Sequence, residues 1–290
     1  MFLSIITLNY KKSHLTIACL NSLQEQFSEE FKKGEIELII VDNASGSEDA
    51  SLLKKEAGKY KNVSVIINKE NAGFAKGCNL GAASAKGKYL LFLNNDTIVK
   101  DDGILKMAKY LEEHSEASIL GGQLSNFDGS PQPSVDKFYT PLNALLLLLG
   151  IQRFDLRNKR YKAVAQVDWV KGGLFMVRSD IFKKLAGFDE NIFMYIEDME
   201  FCYRADLEGY KTYFYPQVAV HHAHQGSSSR SFAIVNIYKN LLYFYKKHRS
   251  SGEYMLLKSL LLAKAGLLIG VGRLTGNKYL VDTYREAVRF

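Results

Sequence analysis

Residues 63–96 read VSVIINKENAGFAKGCNLGAASAKGKYLLFLNND, and the fold turns on how they are read. VSVIIN, at 63–68, is a short apolar run that fits a strand. FAKGCNLGAASAKG, at 74–87, has the small-residue content of a helix that packs closely. YLLFLN, at 89–94, is apolar throughout, as a strand covered on both faces should be. Strand, helix and strand in this order form the repeating unit of a parallel sheet layered with helices. The second strand ends abruptly in Asn94, Asn95 and Asp96. Either the chain simply turns there, or it holds out a carboxylate for chemistry.

The same alternation extends toward the N-terminus. LSIITL (3–8) and IELIIVD (36–42) read as buried strands, and HLTIACLNSLQEQF (14–27) and SEDASLLKKEAGKY (47–60) as helices. In such sheets ligands bind beyond the carboxyl ends of the strands. All four strands leave through polar residues: Thr7 and Asn9, Asp42 and Asn43, Asn68 and Asn71, then Asn95 and Asp96.

The second half is built differently. FDGSPQPS (127–134) is a loop by its Gly, Pro and Ser content. TPLNALLLLLGIQRF (140–154) holds an apolar run too short to span a bilayer. VDWVKGGLFMVRSDIF (167–182) predicts a strand interrupted by Gly172 and Gly173, then a turn into a helix. IEDMEFCYRADLEGY (196–210) predicts a helix with acids at its start and Gly209 near its end. KTYFYPQVAVHHAH (211–224) predicts a strand ending in histidines, followed by two helices. The second of these, YMLLKSLLLAKAGLLIGVGRL (254–274), is very apolar. Lys258 and Lys264 in its middle disfavour a membrane span.

Bulk properties narrow the function. A chain of 290 residues with 47% hydrophobic content can bury a large core. Cys19, Cys78 and Cys202 are too scattered for a disulfide framework or a zinc site and fit a reducing cytoplasm. MFLSIITLNY lacks the basic segment and cleavage site of a signal peptide. The net charge is +7, with basic residues recurring from Lys239 through Lys246, Lys247, Arg249, Lys258, Lys264, Arg273, Lys278, Arg285 and Arg289. No nucleic-acid recognition motif accompanies them. The tail therefore reads as a solvated basic face, as a helix at the interface of an anionic membrane, or as a surface docked on the body or on a second copy of the chain.

Individual residues admit two readings each. No P-loop and no dinucleotide fingerprint follows the first strand. Gly73, Gly77 and Gly81 recur every four residues, for tight packing on the sheet or for ligand contact. Asn71 and the helix start beside it are better ligand candidates, because helix N-termini attract phosphates. Asp42 can accept from the N3–H of a uracil or thymine, or from a ribose hydroxyl, or it can cap the next helix. Asp96 can hold Mg²⁺ or Mn²⁺, which bind through few protein oxygens, or it can form a turn. Glu197, Asp198 and Glu200 crowd a helix start, where acids also suit the helix dipole, and Glu200 can pair with Arg204.

Taken in order, TLNY, VDNAS, NAGFAKGCN, LNND, DWVKGGLFMVR, GFDENIFMYIEDMEFCYR and HHAHQGSS resemble the segments of family 2 glycosyltransferases of the GT-A fold. The rhamnosyltransferase-like branch that builds bacterial cell-wall and O-antigen glycans is the most similar, over roughly residues 1–245. The resemblance implies an α/β GT-A domain with a Rossmann-like, mostly parallel sheet over residues 1–228. Residues 1–100 would bind the nucleotide sugar and 101–228 the acceptor, with a helical extension over 229–290. It implies inverting transfer of a sugar from a dTDP- or UDP-sugar to a glycan or polyprenyl-linked acceptor, with Mg²⁺ or Mn²⁺. Thr7, Asn9, Asp42 and Asn71 match positions that hold the nucleoside. Gly73, Asn79, Glu197 and Arg204 lie in matched segments as further substrate-binding candidates. Asn95 and Asp96 stand where the family has its D-x-D motif, with Asp96 as the metal-binding acid and Asn94 in place of the first acid. Trp169, Gly172 and Gly173 match the acceptor-side strand, and Asp198 the catalytic base. His222 or His224 matches a position near the diphosphate, where an imidazole completes a metal shell. Two other readings remain. A sugar-nucleotidyltransferase would carry a Gly-rich basic loop where this chain has NYKKSH (9–14). A non-catalytic subunit on a degenerate transferase fold is favoured by Asn94 and disfavoured by the acids at 96 and 198.

Overall fold

The computed structural model describes residues 1–141, 161–223 and 229–290. Contacts divide the described residues into two units. The first holds those of Met1–Asp136, Leu156–Phe193 and Glu197–Ser227, and the second those of Lys137–Asp155, Met194–Ile196 and Ser228–Phe290.

In the first unit, strands β1 (Leu3–Asn9), β2 (Ile36–Asn43), β3 (Val63–Asn68) and β4 (Tyr89–Leu93) alternate with helices α1 (Ser13–Lys33), α2 (Ser47–Ala57) and α3 (Gly73–Ser84). The four strands pair in parallel in the order β3-β2-β1-β4. Every residue of β2 and β4 is buried, which explains the apolar run of β4 and of β2 from Leu38 to Val41, while the buried Glu37 of β2 accepts from the Ser4 hydroxyl and the Lys86 N–H. The paired register brings Asn9 beside Asp42 and Asn43 beside Asn68, so the polar exits share one edge of the sheet.

Beyond β4 the chain adds β5 (Thr97–Val99), α4 (Gly103–Glu113), β6 (Ala117–Ser125), β7 (Val135–Asp136), β8 (Ala165–Val167), β9 (Trp169–Val170) and β10 (Leu174–Arg178). Helices α5 (Ser179–Lys184) and α6 (Glu197–Leu207) follow, then β11 (Lys211–His222). The sheet continues β4-β10-β6-β11-β5, with β10 antiparallel to both its neighbours and β6 parallel to β11. The interruption expected at Gly172 and Gly173 separates β9, which pairs with β7, from β10 in the main sheet. Phe92, Phe175, Phe182, Phe188 and Phe201 form one aromatic cluster that seats α6 on β4 and β10.

The second unit holds α7 (Arg230–His248), α8 (Ser251–Leu274) and α9 (Lys278–Ala287). The sequence predicts two helices here, and the structure has three. Asn277 accepts a hydrogen bond from the Leu280 N–H and so starts a separate helix three residues after α8 ends. The apolar run of 140–154 lies outside the described residues from 142 onward. All three cysteines are free and buried, and burial pushes the Cys19 and Cys202 thiols up to about 12, so both act as packing groups.

Candidate active site

The polar strand exits build a connected network. Asn9 donates through Nδ2 to Asp42 Oδ1 at 2.8 Å and to Ser45 Oγ at 3.0 Å. Its Oδ1 accepts from the Thr16 hydroxyl at 2.8 Å, and Thr16 in turn accepts from Asn95 Nδ2 at 2.9 Å. The other oxygen of Asp42 takes the Ser45 N–H. Asp42 is therefore a fully buried anchor for the ends of β1 and β2. The buried Thr7 hydroxyl at the same edge has no partner within the described residues.

Asn43 organises the next exit. Its Nδ2 donates to Asn71 Oδ1 at 2.9 Å and to the Gly73 carbonyl at 3.0 Å, while its Oδ1 accepts from Asn68 and the Ala72 N–H. The first N–H groups of α3 are also engaged: Gly73 donates to Asn71 Oδ1, and Phe74 donates to the Phe193 carbonyl at 2.6 Å. This corrects the picture of an open helix start awaiting a phosphate, because two of its donors are satisfied within the protein. Gly73 has φ +84°, and a Cβ there would stand 2.3 Å from the Phe193 carbonyl oxygen. Gly77 and Gly81 resolve to packing, since a Cβ would meet Leu8 at 2.6 Å and Ile6 at 2.5 Å.

Asp96 meets His222 at the end of β4. Their Oδ1 and Nε2 atoms are 3.1 Å apart, and both side chains are largely buried. Gln132 fixes the imidazole. Its amide nitrogen donates to Asn126 Oδ1 and to the His222 carbonyl, so its oxygen is left to accept from His222 Nδ1 at 2.8 Å. Asn94 Nδ2 lies 3.2 Å from the same Nε2. Nε2 and a carboxylate oxygen at this distance can share a proton or a cation. One carboxylate and one imidazole fit Mg²⁺ or Mn²⁺ whose remaining ligands are water and phosphate oxygens. No cluster of three or more His, Cys, Asp or Glu side chains suited to a metal occurs among the described residues. His224 lies outside them.

The opposite pole is Asp198, in the first turn of α6. Its Oδ2 accepts from the Gly172 N–H and its Oδ1 from the Met199 N–H, both at 2.8 Å. Burial raises its proton affinity above the usual carboxylate range, while these two N–H groups and the Lys171 ammonium pull the other way. Glu197 is buried, one of its oxygens has no partner among the described residues, and burial and the Asp198 charge hold its carboxyl well above the usual range. Lys171 is pushed down by burial and up by Asp136 and Asp198. Adjacent glycines link the two poles: Gly172 donates to Asp198, and the Gly173 carbonyl accepts from the Asn94 N–H at 3.1 Å.

Three predicted residues are committed elsewhere. Arg204 holds Glu200 through Nε at 2.9 and 3.0 Å, donates to the Gly187 carbonyl at 2.7 Å and also to the Leu185 carbonyl. Its guanidinium is a brace for the loop before α6, which corrects its reading as a substrate contact. The same pairing takes the fully buried Glu200 out of contention as a base. Asn79 is corrected likewise, because its amide spans the Phe188 N–H and carbonyl at 2.9 and 2.8 Å. Trp169 is buried in β9, where it stands opposite Asp136.

The network around the strand exits, a carboxylate–imidazole pair and a separate pinned carboxylate are the parts a sugar-nucleotide enzyme needs. A sequence model described as glycosyl transferase family 2 matches residues 4–185. The chain belongs to that family. The transferase is 31% identical over 202 residues to the rhamnosyltransferase WbbL of Escherichia coli, covering 66% of this chain and 75% of WbbL. It is 23% identical over 198 residues to the O-antigen chain rhamnosyltransferase WbaN of Salmonella anatum, covering 68% of this chain and 59% of WbaN. Among solved structures, the mannosyltransferase PcManGT of Pyrobaculum calidifontis, in complex with GDP-Man and Mn²⁺, superposes with a TM-score of 0.61 at 16% identity, over 98% of this chain and 73% of that one. Staphylococcus aureus TarS in complex with UDP-GlcNAc gives 0.57 at 17% identity, over 99% and 90%. These neighbours establish the GT-A fold, with helices appended at the C-terminus.

Proposed function

We propose that the transferase inverts configuration as it moves a hexose, rhamnose first among the candidates, from a dTDP- or UDP-sugar to a hydroxyl of a glycan or lipid-linked acceptor in cell-surface polysaccharide synthesis. The observation that carries this reading is the pair of poles joined through Gly172 and Gly173: a pinned carboxylate at one end and Asp96 with His222 at the other. The rhamnosyltransferase relatives support the sugar. The cytoplasm is the compartment where such donors meet the enzyme.

In this reading Asp198 takes the proton of the acceptor hydroxyl as its oxygen bonds to the anomeric carbon and the bond to the diphosphate oxygen breaks. Two backbone donors fix its orientation and leave lone pairs on both oxygens. A base so placed contributes roughly 10²–10⁴-fold. Thr7 and Asn71 are the candidates to contact the nucleoside at the strand exits, which Asn9, Asp42 and Asn95 hold in place through their network. Asp96 and His222 would hold the divalent cation, which supplies charge neutralisation to the departing diphosphate. Glu197, buried beside Asp198 and with one oxygen that has no partner among the described residues, is a further candidate contact to the sugar.

A thermal-shift panel of nucleoside diphosphate sugars, with and without Mn²⁺, tests the donor side. A dTDP- or UDP-sugar should raise the Tm, and more so with Mn²⁺. If none of these sugars raises it under either condition, the reading fails.

A further inference from the structure

Helix α8 presents its apolar side outward. It is buried only along Leu257, Leu261, Ala265 and Gly272, the line that faces its neighbours. The opposite side carries Met255, Leu256, Leu262, Leu267 and Leu274, exposed by 58, 51, 45, 67 and 89%. A surface helix of a soluble protein has the reverse pattern. Of the two mid-helix cations, Lys258 and Lys264, both are half-buried and neither interrupts this ridge. A capping box at Ser250 and Glu253 fixes where the helix starts. At the other end Gly272 lets α9 approach, since a Cβ there would lie 2.9–3.0 Å from Val281, Leu280 and the Asn277 carbonyl. The helix is thus held by α7 and α9 along one side while its ridge stays open.

Charge selects what covers the ridge. Residues 230–290 contain eleven Lys and Arg against three Asp and Glu, so this segment alone exceeds the whole chain's net charge of +7. Lys239, Lys246, Lys247, Arg273, Lys278, Arg285 and Arg289 are exposed. A second copy would bring an equal positive charge to the contact and repel it. An anionic surface would be attracted, and an exposed apolar helix within a strongly basic segment matches the boundary between headgroups and acyl chains.

We propose that α8 lies flat on an anionic bilayer, with the Leu256–Leu267–Leu274 ridge inserted and the basic residues of the second unit at the headgroups. The proposal concerns binding, and its readout is independent of sugar transfer. Its length of 24 residues would also let α8 span a bilayer, which the test distinguishes.

The experiment is flotation of the full-length protein with vesicles of phosphatidylcholine alone or with added phosphatidylglycerol. Binding should require the anionic lipid, fall as salt is raised, and reverse on a high-salt wash. Leu256→Glu with Leu267→Glu should weaken it by at least about tenfold. Arg273→Gln with Lys278→Gln should lower binding while the helical circular dichroism of both variants stays unchanged. Three results would overturn the proposal: failure to float with either vesicle; resistance to high-salt and alkaline washes with release by detergent only, which means a span; or a dimer in solution that the leucine variant splits.

Discussion

At the residue scale the account rests on how Asp198 is held. Burial raises its proton affinity, and Lys171 opposes that shift. Lys171→Met removes the opposing charge, so the folded-state proton affinity of Asp198 rises further. Because the base works only when ionised, the acidic limb of the kcat/KM profile should move to higher pH, with activity lost first on the acid side. A limb that stays put would detach Lys171 from the base. Gln132 tests the other pole. It fixes the Nδ1 proton of His222, so Gln132→Leu should raise the Mn²⁺ concentration needed for half-maximal turnover by about 10–100-fold. An unchanged Mn²⁺ titration would contradict that tautomer. Both residues escaped the sequence reading for the same reason. Gln132 lies in a Gly-Pro-Ser loop 90 residues before its partner His222, and Lys171 reads as an ordinary charge beside two glycines. Asp96 and Asp198 stood out as candidates because one ends a strand and the other begins a helix, each within a segment that resembles the family's. Arg204 and Asn79 looked like ligand groups, and only the carbonyls of 185–188 reveal what they bind.

At the element scale the four N-terminal strands and their helices were legible because each strand is mostly apolar, with at most one polar residue inside its run, and each ends in polar residues. The order β3-β2-β1-β4 follows from parallel pairing, whereas the antiparallel insertion of β10 does not show in its own sequence. Helix α9 went unseen because it is short, and only Thr275, the left-handed Gly276 and the Asn277 cap separate it from α8. The loop before α6 holds the least expected backbone. Tyr195 and Ile196 have φ of +71° and +78°, a region costly for side-chain-bearing residues and most of all for a β-branched one. Within the second unit, Asn240 on α7 donates to the Met194 and Tyr195 carbonyls at 2.8 and 3.1 Å. Asn240 is itself buried. Asn240→Ala should therefore lower unfolding stability by about 1–3 kcal/mol in a denaturant titration, since two carbonyls lose their donor. A change below about 0.5 kcal/mol would mean that this clamp contributes little.

At the scale of the whole molecule, the chain puts its chemistry and its net charge in different places. The first unit carries the strand exits and both poles of the site. The second carries the excess of positive charge and an outward apolar helix. A transferase that serves a lipid-linked acceptor would use such a division. The central claim is that the first unit transfers sugar with Asp198 as base, and release of nucleoside diphosphate from a panel of nucleotide sugars tests it most directly. The measurement compares the full-length chain with Asp198→Asn in the presence of Mn²⁺. The account predicts that at least one dTDP- or UDP-sugar is consumed, and that the variant binds it with unchanged affinity yet turns over at least about a hundredfold more slowly. Consumption of no donor with or without Mn²⁺, or near-normal turnover by Asp198→Asn, would contradict it.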